Sequence, residues 1–305
     1  MLSLSFLKTK KLIVTHDGSF HMDDVFAAAT LSLYFEKIDQ PFIIRRSREG
    51  DDIEKADIVF DVGMEYDPEN GHFDHHQKGG AGERDNGIPY SSFGLIWKHF
   101  GLDFVDGNNG VWQAIDDQLV SPIDGPDNGF SIDNNLIEGI KPFYLGDVIM
   151  LLFYRGKDLD KEFFQAVLFA KNIITELIEK VKAGEDLKNR ILDAYNLAED
   201  KRLVVLDFRV SRQMVWVALS DKKEVLFAAM KSRTSEVWSI VAMRAELGSY
   251  KNRKDMPAEW AGLQSKELQA ITGVSDAIFC HRNLFLASAE SKEGVTALGK
   301  LAVKN

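Results

Sequence analysis

The sequence predicts an α/β protein: a parallel-sheet N-terminal domain over 1–142, a helical connection over 143–200 and a smaller α+β C-terminal domain over 201–305. Three observations carry this. Apolar, β-rich runs alternate with helical stretches through the first 130 residues, an amphipathic pattern fills 143–198, and a series of strand-like runs then precedes a closing helix.

In order, "LIVTH" (12–16) is a short β-rich run, and "MDDVFAAATLSLYFEK" (22–37) has the apolar face of a helix. "FIIRR" (42–46) and "ADIVFDVG" (56–63) return to strand. Alternation of this kind builds a parallel sheet from βα units, and ligands of such sheets collect where loops leave the carboxyl ends of the strands. His16 and Asp61 both fall at such ends. "SSFGLIWKHFG" (91–101) reads as a helix closed by glycine, and "GVWQAIDDQLV" (110–120) as another that stops before Pro122. Apolar residues three and four apart make 143–198 helical. "RLVVLDFR", "QMVWVALS", "EVLFAAMK" and "VWSIVAMR" read as a mostly antiparallel sheet, and "KEGVTALGKLAV" as the terminal helix.

With 305 residues the chain is long enough for two domains. No uncharged apolar stretch reaches the ~18 residues of a membrane span. The opening "MLSLSFLKTKKLIVTHDG" puts its apolar run before its lysines, the reverse of a secretory signal. The single Cys280 excludes a disulfide framework within the chain and fits a reducing compartment, so a cytoplasmic protein is expected. A net charge of −10 argues against a broad surface that coats long duplexes, while leaving room for a local basic cleft.

Five of the seven histidines lie in the first quarter of the chain. "THDGSFHMDD" (15–24) holds two with three aspartates, and "HFDHHQKGG" (72–80) holds three around one. Imidazole and carboxylate together suit Mn²⁺, Zn²⁺ or Fe²⁺, and a carboxylate shared by two ions holds them a few ångströms apart. Plainer roles exist for some of these residues: Asp23 or Asp24 also suits a helix cap, and Asp61 a turn. Adjacent His75 and His76, in a segment without amphipathic pattern, are poorly explained by packing.

"THDGSFHMDD", "VFDVG" and "FDHHQKGGAGERDNGIPYSSFGLIWKHFG", followed by "VSPIDGPDNG", "NRKDMPAEWAGL" and "GVSDAIFCHRNLFLASAESKEGV", resemble the successive motifs of the melanocyte proliferating gene family. That family is a group of metal-dependent nucleases related to the DHH phosphoesterase superfamily. The resemblance implies a DHH-like N-terminal domain and two divalent ions held by His16, His21, Asp23, Asp61, His75 and Asp124. Within that set Asp61 is the bridge and His21 stands where the wider superfamily has aspartate. Nitrogen at this position favours Mn²⁺ over Mg²⁺. "IDDQLVSPIDGPDNG" offers Asp116, Asp117, Asp124 and Asp127 for the last ligand, with Asp124 first by spacing and Asp127 next.

Asp74 would orient an imidazole and His76 would face the substrate phosphate, as the catalytic pair. Arg48, Arg253 and His281 are the residues expected on the substrate, the last two from a C-terminal half that grips it. The implied activity is that of a metal-dependent phosphoesterase, a 3′–5′ exonuclease on single-stranded RNA or short oligonucleotides, with no membrane partner and a homodimer allowed. Two rivals remain: hydrolysis of a small phosphate compound such as pyrophosphate or a cyclic dinucleotide, and a metal-stabilised binding protein without turnover.

Overall fold

A computed structural model of the chain describes residues 8–130, 142–232 and 234–305. The first seven residues of the opening stretch, and the 131–141 segment up to the expected domain boundary, lie outside the described residues. Two compact units divide at Lys182/Ala183.

In the first unit, β1 (Lys11–Thr15), α1 (Met22–Lys37), β2 (Phe42–Arg46), α2 (Gly50–Glu54) and β3 (Ile58–Phe60) follow the expected alternation. Short β4 (Tyr66–Asp67) and β5 (His72–Phe73) complete a five-stranded sheet of order β2-β1-β3-β5-β4. Strands β2, β1, β3 and β5 run parallel, and only edge strand β4 is antiparallel. Helices α3 (Ser92–Phe104), α4 (Asn109–Ile115) and α5 (Ser121–Asp127) come next, with a π-helical turn at Asp116–Val120 joining the last two. They are followed by α6 (Leu145–Phe153) and the 39-residue α7 (Leu159–Leu197).

Two expectations about helix ends are corrected here. Gly101 does not close α3 but lies inside it, where a Cβ would meet the Trp97 ring 2.7 Å away. Pro122 does not stop the next helical stretch, because it stands in the first turn of α5, where a missing N–H costs nothing. The core between sheet and helices is aromatic-rich, with Phe20, Phe26, Phe73, Phe93, Trp97 and Phe163 all fully buried.

The stretch expected as a helical connection at 143–200 forms α6 and α7, with the division between the units falling inside α7. Ile149 of α6 and Phe163, Ala166, Ala170 and Ile174 of α7 are buried in the first unit's core, and Ile191 near the end of α7 in the second unit's.

The second unit holds β6 (Leu203–Arg209), α8 (Arg212–Ala218), β7 (Phe227–Lys231), β8 (Trp238–Ala242), α9 (Ser265–Thr272), β9 (Ala277–Cys280), β10 (Leu286–Ala289) and α10 (Lys292–Lys304). Its sheet order is β6-β7-β8-β10-β9, with only β6 and β7 parallel. "QMVWVALS", expected as a strand, is helix α8. Ser211 accepts a hydrogen bond from the Met214 N–H at its start, and Val215 and Ala218 are buried three apart on one face. Tertiary packing overrides the β preference of Val and Trp here, and this crossover helix is what lets β6 and β7 run parallel.

Gly299 of α10 lies against the sheet, where an added Cβ would meet Leu203 at 2.7 Å and Ile240 at 2.8 Å. Gly299→Ala should therefore destabilise the protein by about 1–3 kcal/mol through overpacking. A lower urea midpoint with unchanged circular dichroism is the expected result.

Candidate metal centre

Three neighbouring parallel strands end side by side and deliver the expected residues. His16 follows β1, Asp61 follows β3, and Asp74, His75 and His76 follow β5. The start of α1 adds His21, Asp23 and Asp24, and the end of α5 adds Asp127 and Asn128. Asp61 has φ 56°, a left-handed conformation uncommon outside glycine but tolerated by aspartate. His16, His21, Asp61, His76 and Asp127 line one cleft of about 970 Å³, together with Arg48.

Hydrogen bonds fix which imidazole nitrogens are available. Nδ1 of His16 lies 2.9 Å from the Asp17 carbonyl, which can only accept, so this nitrogen carries the hydrogen and Nε2 is turned to Asp24 Oδ2 and Asp61 Oδ2, each 3.1 Å away. Nδ1 of His75 is 3.3 Å from Asn128 Oδ1. Among the described residues its Nε2 makes no hydrogen bond, and it faces Asp127 at 3.3 Å, Asp61 at 3.5 Å and Asp23 at 3.8 Å. Two donors each ~2.1 Å from one divalent ion stand roughly 3.0 to 3.4 Å apart for angles between square and tetrahedral, so most of these spacings are those of atoms around an ion.

Asp61 faces His16 with Oδ2 and His75 with Oδ1, the arrangement needed of a carboxylate shared between two positions. Ser92, in the first turn of α3, donates to its Oδ1 at 3.1 Å. One donor atom from each of His16, Asp24 and Asp61 lies within 4.8 Å of the others, and the same holds for His21, Asp23 and Asp127.

The electrostatics are those of carboxylates short of counter-charge. Asp23 is 1% exposed and neither of its oxygens accepts a hydrogen bond among the described residues. Burial, with Asp61, Asp127 and Asp24 nearby, pushes its carboxyl well above the usual range. Burial also pushes up Asp24 and Asp127, against the pull of His16 and His75 respectively. For His16 burial opposes the charge, yet Asp24 and Asp61 outweigh it and raise the imidazole to about 10. Asp61 is held low despite its burial because His16 and His75 face it. Protons on the imidazoles balance this cluster in part, and divalent cations would balance it more completely.

The residues expected from sequence divide clearly. His16, His21, Asp23, Asp61 and His75 are brought together. Asp74 accepts from the Met64 and His75 N–H groups at 2.6 and 2.7 Å and from His76 Nδ1 at 2.7 Å, so it holds the His76 ring rather than facing the cleft with a free oxygen. Asp124 stands apart, which corrects its place in the ligand set. Its Oδ1 accepts from Ser91 Oγ at 2.6 Å and the Gly94 N–H at 3.0 Å, and its Oδ2 is 2.8 Å from the Arg84 guanidinium. Gly94 makes room for it, because a Cβ there would meet Asp124 Oδ2 at 1.9 Å. Asp127, one helical turn on, reaches the cluster instead, and Asp24 joins it from the position next to Asp23.

Arg48 lines the cleft and pairs with Asp17 at 3.3 Å. Arg253 and His281 belong to the second unit. The substrate role expected of Arg253 is corrected by its contacts, since its Nε and both Nη donate to the carbonyls of Arg244, Lys222, Val225, Leu219 and Ser220, which uses all five N–H bonds to pin loops. Nδ1 of His281 accepts from the Asn283 N–H at 3.1 Å, and its ring stacks near Phe285. Asp127 is the second choice that the sequence offers for the last ligand, after Asp124, whereas Asp24, read as a cap, and the supporting Ser92 and Asn128 are not singled out as ligands there; the signal for Asp24 is the doubled aspartate at a helix start.

Replacing Asp23 should separate folding from ion binding. Asp23→Asn removes a buried charge without a donor and supplies two N–H groups to its carboxylate neighbours, so the metal-free protein should gain about 1–3 kcal/mol. Thermal unfolding with and without Mn²⁺ checks this. The variant should melt higher than the wild type in chelator and gain less from added metal.

The family model MYG1_exonuc, described as "Uncharacterised protein family (UPF0160)", matches residues 12–303. A "MYG1 protein" of Chlamydia trachomatis serovar D is 30% identical over 98% of this chain and 98% of its own length. The human "MYG1 exonuclease" is 26% identical over 98% of this chain and 87% of its own. A solved structure of RecJ in complex with Mn²⁺ from Thermus thermophilus aligns with 97% of this chain and 52% of its own at 12% identity, with a TM-score of 0.29, too low for the folds to be equated. Matched along nearly its whole length, the chain belongs to the MYG1 family.

Proposed function

We propose that the protein is a metal-dependent nuclease, and more narrowly a 3′–5′ exonuclease on single-stranded RNA or short oligonucleotides that works with two divalent ions. The observation that carries the metal part is Asp23, a buried carboxylate without a hydrogen-bond donor beside the unpartnered Nε2 of His75. The nuclease part is supported by the name of the human relative.

The residues fit two positions that share Asp61. His16, Asp24 and Asp61 form one, and His21, with a donor atom within 4.8 Å of Asp23 and Asp127, stands on the side of the other. Asp23, Asp61, His75 and Asp127 form the other. What ions held there supply is Lewis acidity towards a water and towards phosphate oxygens.

The chain's own groups do the rest. Asp17, through its carbonyl, and Asn128 orient His16 and His75 so that Nε2 faces inward. Asp74 holds His76 through Nδ1, leaving Nε2 of this half-exposed ring without a partner among the described residues, where the doubly protonated imidazole can donate to a phosphate oxygen in the cleft. Arg48 at the rim, 61% exposed, supplies positive charge to the phosphate. A protein at −10 gains little long-range attraction for polyanions, so contacts within the cleft must provide most of the affinity, which favours short single strands over duplex.

Incubation with Mn²⁺ and a panel of end-labelled oligonucleotides, duplex, pyrophosphate and cyclic dinucleotides tests the reading. Stepwise loss of 3′ nucleotides from single strands supports it. Turnover of only the small compounds would move the substrate class, and metal binding without turnover of any panel member would indicate a binding protein. Asp61→Ala should abolish detectable turnover and bind neither ion firmly, and full activity in this variant would sink the assignment.

Mn²⁺ should support faster turnover than Mg²⁺ at matched free concentration, because His16, His21 and His75 add nitrogen donors that magnesium accepts poorly. His21→Asp should narrow that gap.

Metal affinity should also rise with pH. With its pKa held up to about 10, His16 carries a proton at neutral pH in the metal-free protein, and an ion that needs the neutral imidazole must displace it. Calorimetric titration with Mn²⁺ in buffers of different ionisation enthalpy should record proton release between pH 7 and about 9, and tighter binding at the upper end.

A further inference from the structure

We infer that Arg46 is a positioning residue for the His16–His21 loop: a buried guanidinium that fixes the loop by donating to the Gly18 carbonyl and is itself held by Asp160 and the rings of Phe20 and Phe163. The inference rests on the metal reading above for its consequence, and on contacts within the first unit for its geometry.

Arg46 is the last residue of β2 and pairs in register with Thr15, the last residue of β1. Its side chain therefore leaves the sheet at the same edge as the loop that carries His16 and His21. The guanidinium is fully buried. Nη2 donates to the Gly18 carbonyl at 2.7 Å, and Nη1 to Asp160 at 2.8 Å. Its central carbon lies 4.6 Å from the Phe163 ring centroid and 5.9 Å from that of Phe20. No solvent-facing N–H remains for a substrate, which sets Arg46 apart from its neighbour Arg48.

Burial of a cation with its Nε left unpartnered is unfavourable for the fold alone. A planar group with two outward N–H pairs does, however, join two acceptors on opposite sides, which a lysine ammonium on a flexible stem does not reproduce. The loop needs such a tie. Gly18 has φ 84° and contacts nothing where a Cβ would stand, so its conformation is not fixed by packing of its own.

The anchor is itself well built. The carboxylate of Glu162 accepts from the backbone N–H groups of Arg155, Gly156, Lys157 and Asp158, folding the turn before α7 around itself. That turn and the first residues of α7 meet the loop at three successive positions. Asp160 meets Gly18 through Arg46, Tyr154 Oη meets Ser19 Oγ at 3.0 Å, and the Phe163 and Phe20 rings meet edge to face at 5.9 Å. Loop residues between two proposed ligands are thus referenced to α7 rather than to the sheet that the ligands leave, and Arg46 with Asp160 is the charged part of that link.

Amide hydrogen exchange on the full-length, metal-free protein, followed by Mn²⁺ titration, tests this with Arg46→Lys and Asp160→Asn. Arg46→Lys should speed exchange at Gly18–His21 about tenfold or more, leave the amides of β1 and β3 unchanged, and weaken Mn²⁺ binding about 10- to 100-fold, the usual range for groups that orient ligands. Asp160 is 65% exposed, so Asp160→Asn should fold whatever becomes of the Arg46 variant, and should produce smaller changes in the same direction. Unchanged exchange and affinity in both variants would overturn the inference. So would faster exchange throughout the first unit, which would make Arg46 a general core residue. The exchange readout contains no metal, so it stands even if the wild type binds no Mn²⁺, a result that would instead count against the proposed function.

Discussion

The arrangement of the first unit depends on one constraint: several carboxylates are gathered where water is scarce, and something positive must sit among them. Asp23, Asp24 and Asp61 are all nearly fully buried, with Asp127 beside them. Repulsion and desolvation both act against ionising such a group, and together they push Asp23, Asp24 and Asp127 upward. Much of the surrounding structure can be understood as support for that costly cluster. The parallel sheet sets β1, β3 and β5 side by side so that one residue from each strand end meets the others, and α1 points its N-terminus, the positive end of its dipole, at the same spot. The fully buried side chains of Phe26, Phe93 and Trp97 on α1 and α3 supply the apolar burial that lets the unit tolerate the cluster.

Part of this was legible in the sequence, and the reason is topological. Once a run is identified as a strand of a parallel sheet, the residue at its carboxyl end is placed, so His16 and Asp61 could be assigned to a common edge before any coordinates, while His75 follows a two-residue strand too short to read and was picked out by the histidine cluster alone. The rest depended on helix phase, which a short segment does not declare. Asp124 and Asp127 are three residues apart on α5, yet Asp124 turns to Arg84 and α3 while Asp127 turns to His75. Spacing alone favoured the former because the partner of Asp124, an arginine 40 positions earlier, is invisible in a linear reading. Asp24 was hidden for a similar reason: a second aspartate at a helix start looks like a cap, and its Oδ1 does accept from the His21 N–H. Only the fold reveals that its other oxygen meets His16. In the second unit, Val and Trp in "QMVWVALS" suggested a strand, while the Ser211 cap and the needs of a parallel β6–β7 pair made it a helix.

The fate of the basic residues follows the same logic. A guanidinium has five donors, and its role is set by what accepts them. Arg253 spends all five on carbonyls, and Arg46 spends two of its nitrogens on the loop and on Asp160. Arg48 alone among these lines the cleft with an exposed side chain. Counting accepted hydrogen bonds therefore separates structural arginines from those with capacity for a phosphate, where net charge could not.

Asp61 shows how closely local strain and the site are connected. Its φ of 56° departs from the extended backbone of β3, and for a non-glycine residue that conformation costs of order 1 kcal/mol or more. An extended aspartate at a strand end would project from one face of the sheet. The left-handed turn instead lifts the carboxylate over the strand ends, where Oδ2 reaches His16, Oδ1 reaches His75, and Ser92 donates from α3. The backbone still keeps a long bond from the Asp61 N–H to the Phe73 carbonyl at 3.4 Å, so the turn occurs without β3 parting from β5. Aspartate is among the few residues that enter this region with modest penalty, and the only anionic one, so a single position satisfies backbone geometry and faces His16 and His75 at once. This dual demand makes Asp61 the least replaceable residue of the cluster, since asparagine keeps the turn but loses the charge, and glutamate keeps the charge but neither the turn nor the reach.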